Sequence, residues 1–303
     1  MCHQILSACL TTSFIVLGST LTSHAQAPEA SIEILATFDY PAVTDYTNPE
    51  GINDNGDVAG SYIDLDAGGA ARGFVRFRNG NFSPPIIAFG DGDYTEADDI
   101  NTGRTVCGSF YKTGDETSHG YFLSEKTFTQ FDIDGAFGTS VLGLNDAGDF
   151  VGLYQSEPGV AQAFIDAGGN ITRFNVPEAL LCIAYAINAS RETVGIYENG
   201  SDGNIHGFLR NELGNLTFPL DFPGALGTYV RGINDRGWMV GTYYDSNYAN
   251  HGFVIKTPNA FLSFDYPNAL GTTLNGINNN GLVCGSYYDI TGVSHGFIAR
   301  FRR

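Results

Sequence analysis

Four histidines recur at one position of a repeating pattern, each followed by glycine and an aromatic residue: His119, His206, His251 and His295. Imidazoles in register would suit a ring of metal ligands. Their setting argues for a structural role instead. Each opens an apolar run, where a ring nitrogen can bond neighbouring backbone, and equivalent positions of a closed array lie around a circumference without meeting at one ion. Six asparagines, Asn53, Asn101, Asn145, Asn188, Asn234 and Asn278, recur in the same way. They read as turn formers, because an asparagine side chain can bond its own backbone a few residues on. Carboxylates suggest a different chemistry. Asp64-Leu65-Asp66 beside Gly68-Gly69, and Asp91-Gly92-Asp93 with Glu96, are closely spaced acids on glycine-bearing loops. Such loops can wrap an oxygen-ligated ion, so Asp64, Asp66, Asp91, Asp93 and Glu96 are the candidate metal ligands and Ca²⁺ the candidate cofactor. Neither stretch has the EF-hand pattern. Nucleophile-elbow, phosphate-loop, zinc-protease and dinucleotide motifs are all missing, and no catalytic residue is assigned.

These residues are positioned by a repeat. Gly-Ile-Asn or a close variant occurs at Gly51-Ile52-Asn53, Asp99-Ile100-Asn101, Gly143-Leu144-Asn145, Ala186-Ile187-Asn188, Gly232-Ile233-Asn234 and Gly276-Ile277-Asn278, with successive central residues 48, 44, 43, 46 and 44 apart. A period of about 40–50 residues is that of a four-stranded propeller blade. In the fifth copy, strands are expected at 229–234, 238–244, 251–256 and 261–266, each apolar or aromatic and bounded by Gly, Pro, Asn or Asp. Their apolar runs do not alternate with polar residues, as suits sheets covered on both faces. The abundance of Gly (39), Phe (22) and Tyr (16) among 303 residues agrees with short strands and tight turns.

The last copy stops after its third strand, at Phe301. The missing fourth matches the segment Ile32 to Tyr40, whose Phe38-Asp39-Tyr40-Pro41 parallels Phe264-Asp265-Tyr266-Pro267. The fold expected is all-β: a six-bladed β-propeller of four-stranded blades, closed by pairing the N-terminal strand (about 31–41) with the last blade. Closure of this kind removes both open sheet edges. The His-Gly-Phe, Gly-Ile-Asn and Val-x-Gly-x-Tyr segments together resemble the HAF family of probable extracellular repeats, over nearly the whole chain. The resemblance implies export and a propeller-like array, and it implies no activity.

Residues 1–27 contain no Asp, Glu, Lys or Arg, are mostly apolar from Ile5 to Leu21, and end in Ala25-Gln26-Ala27, as a signal peptide would. Residues 28–303 then form the mature propeller, expected to be secreted, periplasmic or at the cell surface, monomeric and not inserted in a membrane. Three cysteines remain, Cys107, Cys182 and Cys284. Two of these share the repeat position of Ala59, Val151, Val194 and Val240, and so read as small core residues.

The net charge of −18 is unevenly shared. The face formed by the loops between second and third strands and between blades is assigned 22 of the 33 acids and three of the 15 bases, a net −19. So acidic a face should repel nucleic acid, which needs basic surface. The function expected is a non-catalytic binding or scaffold propeller whose acidic loop face engages a cation-bearing extracellular protein or a carbohydrate. A hydrolase or lyase acting on a carbohydrate polymer is the alternative, with acidic pairs and Tyr94, Tyr229, Tyr243, Tyr244 and Tyr248 serving sugar rings. A structural surface protein is a third reading.

Overall fold

The computed structural model of the chain describes residues 32–301 apart from 42–45, 90–93, 113, 115–116 and 258–259. The expected signal peptide and the candidate ligands Asp91 and Asp93 lie outside the described residues. All described regular structure is β, in six antiparallel sheets. Their innermost strands are Thr47–Ile52, Tyr94–Ile100, Gly138–Leu144, Ala179–Ile187, Gly227–Ile233 and Gly271–Ile277, defining blades 1 to 6. Adjacent innermost strands touch all the way round, blade 6 meeting blade 1, so the fold is a closed six-bladed β-propeller. In blade 5 the strands are Gly227–Ile233, Met239–Tyr244, Asn250–Ile255 and Phe261–Phe264, close to the expected positions. Blade 1 departs from the rule. Its fourth strand is reduced to the bridges Gly73↔Ile86 and Arg76↔Phe82. Closure follows the expected route, with Ile32–Phe38 pairing antiparallel to Ser294–Phe301 at the outer edge of blade 6.

Blades pack face to face, and the core lies between them. Phe74, Tyr121, Phe164, Phe208, Phe253 and Phe297, the aromatic after each His-Gly or equivalent pair, are completely buried. A typical cluster joins Val240, Val254 and Phe264 of blade 5 to Leu274, Val283 and Phe297 of blade 6. Cys107 and Cys284 lie in this layer with no exposure, as do Ala59, Val151, Val194 and Val240. Burying such side chains stabilises by about 1.5–3 kcal/mol each, which is why the interior of each blade carries hydrophobics on both faces. Aromatic stacking also crosses the junctions. Tyr40 lies on Tyr62, Phe222 on Tyr243 and Tyr266 on Tyr287, with ring centroids 3.9, 3.7 and 3.7 Å apart.

The six asparagines act in two directions. Each Oδ1 accepts the backbone N–H four residues on, at 2.9–3.1 Å, which shapes the turn between first and second strands. At five junctions the Nδ2 also donates to the backbone carbonyl of the equivalent asparagine in the next blade: Asn53 to Asn101, Asn145 to Asn188, Asn188 to Asn234, Asn234 to Asn278 and Asn278 to Asn53. Between blades 2 and 3, the Asp99 carboxylate accepts the Leu144 N–H at 3.1 Å.

Removing a buried partner leaves its mates desolvated and unbonded. Asn234→Ala should therefore cost roughly 2–4 kcal/mol of unfolding free energy in denaturant titration. Asn234→Asp keeps the Oδ1 acceptor but turns a carboxylate oxygen toward the Asn278 carbonyl, so at neutral pH it should cost at least as much. A clearly smaller loss in Asn234→Asp than in Asn234→Ala would show that the inter-blade arm contributes little, and no loss in either would refute the role assigned to the ring.

Candidate functional site

Along each innermost strand, alternate side chains face the propeller axis. A β-bulge interrupts all six strands at one repeat position, three residues before the asparagine. The bulged residues are Glu50, Asp98, Leu142, Tyr185, Arg231 and Asn275 in blade order. Bulges twist a strand and re-aim a side chain, and here they aim one from every blade at the axis. Glycine in the facing second strand permits the close approach. A Cβ at Gly241, for example, would overlap the Tyr229 carbonyl oxygen and the Phe253 ring.

The bulged residues line an axial cavity of about 150 Å³. The asparagines and the residues after them complete its walls toward the first-to-second-strand turns. Asp54, Asp146 and Asp235 stand at this end, each holding a backbone N–H of a neighbouring blade at 2.8 Å. The cavity thus lies at the turn end of the channel, opposite the loop face where the sequence placed its acidity.

Six unlike residues meet in this layer. Around the ring run two acids, an aliphatic, an aromatic, a guanidinium and an amide. The Arg231 guanidinium lies 4.2 Å from the centre of the Tyr185 ring. Asn275 donates to Pro49 O at 2.7 Å, tying blade 6 to blade 1, and Asn48 Nδ2 donates to Glu50 Oε1. Asp98 Oδ2 is buried without a hydrogen-bond partner.

Protein surrounds these acids, and that dominates their ionisation. Burial pushes Glu50 up to about 7, with Arg231 pulling it down and Glu96 adding to the rise. Glu96, which faces the same channel, is raised by burial against the pull of Arg231. Asp98 is raised well above the usual range by burial, then by Glu96 and Glu50. Asp99, on the far side of the bulge, is pushed up to about 7 by burial even though the N–H groups of Leu144 and Ile100 favour its charged form.

Sequence reasoning gathered different residues. Glu96, expected on a loop with Asp91 and Asp93, belongs instead to the innermost strand of blade 2. Asp64 Oδ1 accepts the Ala67 N–H at 3.0 Å and its Oδ2 lies 3.9 Å from Arg72 Nε, while Asp66 is exposed. Among the described residues no group of three or more His, Cys, Asp or Glu is placed to hold a metal ion. The histidine ring nitrogens meet carboxylates rather than the expected backbone. Nδ1 of His119, His206, His251 and His295 lies 3.0, 2.7, 2.7 and 2.8 Å from Asp132, Asp221, Asp265 and Asp39. Spread around the rim, they do not converge. Tyr243 is stacked between blades and is no sugar platform, whereas Tyr248 is 71% exposed. The channel residues Glu50, Asp98, Tyr185, Arg231 and Asn275 were missed. Their signal was a column of six different side chains three places before an invariant asparagine.

No protein-family model matches the chain, and no curated protein does. Solved structures match the fold at low identity. The β-propeller domain of the trilobed protease from Pyrococcus furiosus aligns with a TM-score of 0.52 and 10% identity, over 84% of this chain and 81% of that one. TolB from Acinetobacter baumannii aligns with a TM-score of 0.54 and 11% identity, over 80% of this chain and 63% of TolB. Similarity at this level shows the fold alone. Among the described residues no helix is long and apolar enough to cross a membrane.

A carboxyl whose folded-state pKa is raised stabilises the fold below its unfolded value and loses that contribution as pH rises through the folded one. For Glu50 the window runs from its ordinary value of 4.5 to about 7. His251, raised by its hydrogen bond to Asp265, loses its contribution as pH climbs past the ordinary value of 6.5. The thermal midpoint should therefore fall from about pH 5 to about pH 8, and Glu50→Gln should flatten the acidic part of that fall. A parallel, merely displaced curve for Glu50→Gln would show that Glu50 titrates normally.

Proposed function

We propose that this chain is an exported binding propeller whose ligand enters the axial cavity ringed by Glu50, Asp98, Leu142, Tyr185, Arg231 and Asn275. One observation carries the reading. The scaffold positions repeat with little change, yet the six side chains that the bulges turn to the axis all differ. In a repeat array, shared residues serve the shared fold, and individual recognition belongs where copies diverge. Concave sites with a few convergent polar groups on apolar walls are the usual form of a ligand pocket. The partner is a small polar molecule or a side chain presented by an extracellular protein, and export rests on the leader-like residues 1–27. The loop acids Asp64 and Asp66 have no part in this site.

A second reading, a hydrolase of carbohydrate polymers, is favoured by one feature of the same cavity. Carboxyls held above their normal range suit general acid catalysis. Release of reducing ends from a polysaccharide, abolished by Asp98→Asn, would support it.

Binding is tested by calorimetry or thermal shift with the mature chain and a panel of amines, amino acids, organic acids, mono- and disaccharides. The combined variant Glu50→Gln, Asp98→Asn, Arg231→Gln should lose the response, and Asp64→Asn with Asp66→Asn should keep it. Ligand that binds only the folded state raises the midpoint by mass action. A response that survives the channel variant and disappears in the loop variant would overturn the proposal.

A further inference from the structure

Resting on the axial-cavity reading, we propose that the ligand group this site recognises is an organic ammonium ion, the head of a free amine or of a lysine side chain. It sits between Glu50 and Asp98 with its carbon chain against Leu142 and Tyr185.

The charge balance of the channel comes first. Glu50, Glu96 and Asp98 face the channel with Arg231 as the cation that acts on all three. Two carboxyls therefore remain without a matching positive charge. Such groups shift toward the neutral form unless a cation arrives, as the raised acids here do. An anionic ligand would add to the imbalance, and a neutral one would leave it unchanged.

Hydrogen bonding gives a second and independent indication. Asp98 Oδ2 is buried and has no donor. Native structures rarely leave a buried polar atom unbonded, and Asp98 is one of the residues that line the cavity. An ammonium group is a compact charge with three rotatable donors. Glu50 and Asp98 occupy the same bulge position of neighbouring blades, and the charge of one acts on the other, which is where the proposed ammonium would be shared.

Shape and polarity then choose an organic cation over a bare metal. Ca²⁺ requires six to eight oxygen ligands. The next two blades offer Leu142 and Tyr185 at the same level, where carbon can pack and Ca²⁺ would find neither a carboxylate nor an amide oxygen. The cavity of about 150 Å³ exceeds the roughly 30 Å³ of one water several-fold, which leaves room for a short alkyl chain behind the ammonium.

The test is isothermal titration of the mature chain in phosphate buffer with n-butylammonium, butyrate and 1-butanol at matched ionic strength. Nα-acetyl-lysine methylamide forms a further arm that separates a lysine head from a free amine. Butylammonium should bind, and butyrate and butanol should not. Asp98→Asn should weaken the ammonium at least about tenfold, as loss of a desolvated charge partner does, with the circular dichroism of the fold unchanged. A tighter lysine derivative would point to a protein partner's side chain, and a tighter amine to a free metabolite. Equal binding of butanol, or an unaltered affinity in Asp98→Asn, would overturn the ammonium assignment. The two levels of inference fail differently. If no amine binds but another panel ligand is lost in the channel variant, the ammonium assignment falls and the axial site stands. If a ligand binds the channel variant with full affinity, the axial site itself falls.

Discussion

The asparagine that ends each innermost strand fixes the relation of one blade to the next. Apolar packing between blades is strong but nondirectional, and it would tolerate small rotations of one sheet on another. The Nδ2 of Asn53, Asn145, Asn188, Asn234 or Asn278 reaching the carbonyl of the next asparagine sets both height and angle near the axis. The same side chain folds its own turn through Oδ1, so turn and junction form together. Asp57 with Arg104, and Asp149 with Arg191, add clasps at 2.8 Å between blades 1 and 2 and blades 3 and 4. At the opposite rim, the His295–Asp39 pair seals the closing strand in the same way as its counterparts inside single blades.

A rigid ring of this kind frees the layer above it. Three residues before each asparagine the strand bulges, and the side chain there turns to the axis, where several touch the adjacent blade: Leu142 packs with Ile183, Arg231 lies over Tyr185 and Asn275 bonds Pro49 O. No single side chain type is required there by the shared scaffold, and across the six copies it has changed every time. Charge then becomes the distinguishing feature of the channel. The acids stand on blades 1 and 2 and the guanidinium on blade 5, across the axis from Asp98, with Leu142 and Tyr185 between them. Such a cavity has an acidic side, an apolar side and a basic side, which a symmetric assembly of identical repeats could not supply.

Much of the fold was legible because propeller repeats announce themselves. The asparagine spacing gave the blade count, and the missing fourth strand at Phe301 with its match at Phe38-Asp39-Tyr40-Pro41 gave the closure. Even the histidine partners were within reach: copies with His end their fourth strand in Asp, whereas the third copy has Gln162 and Asn175. The site was harder. Glu96-Ala97-Asp98-Asp99 looks like loop by composition, since acids disfavour strands. Packing overrides that tendency and places these residues in Tyr94–Ile100. A bulge also has no hydrophobic signature in strands covered on both faces, and the carbonyl to which five of the six Nδ2 groups donate belongs to another repeat. Most of the acids fall in loops, and strand connectivity alone does not reveal which side chains reach the axis.

The most direct test is a crystal structure of the mature chain with whichever ligand raises its thermal midpoint most. The account predicts ligand density on the propeller axis, touching Glu50 and Asp98 and bounded by Leu142, Tyr185 and Arg231. Density confined to the loops between second and third strands, with the axial cavity filled by ordered water alone, would contradict it.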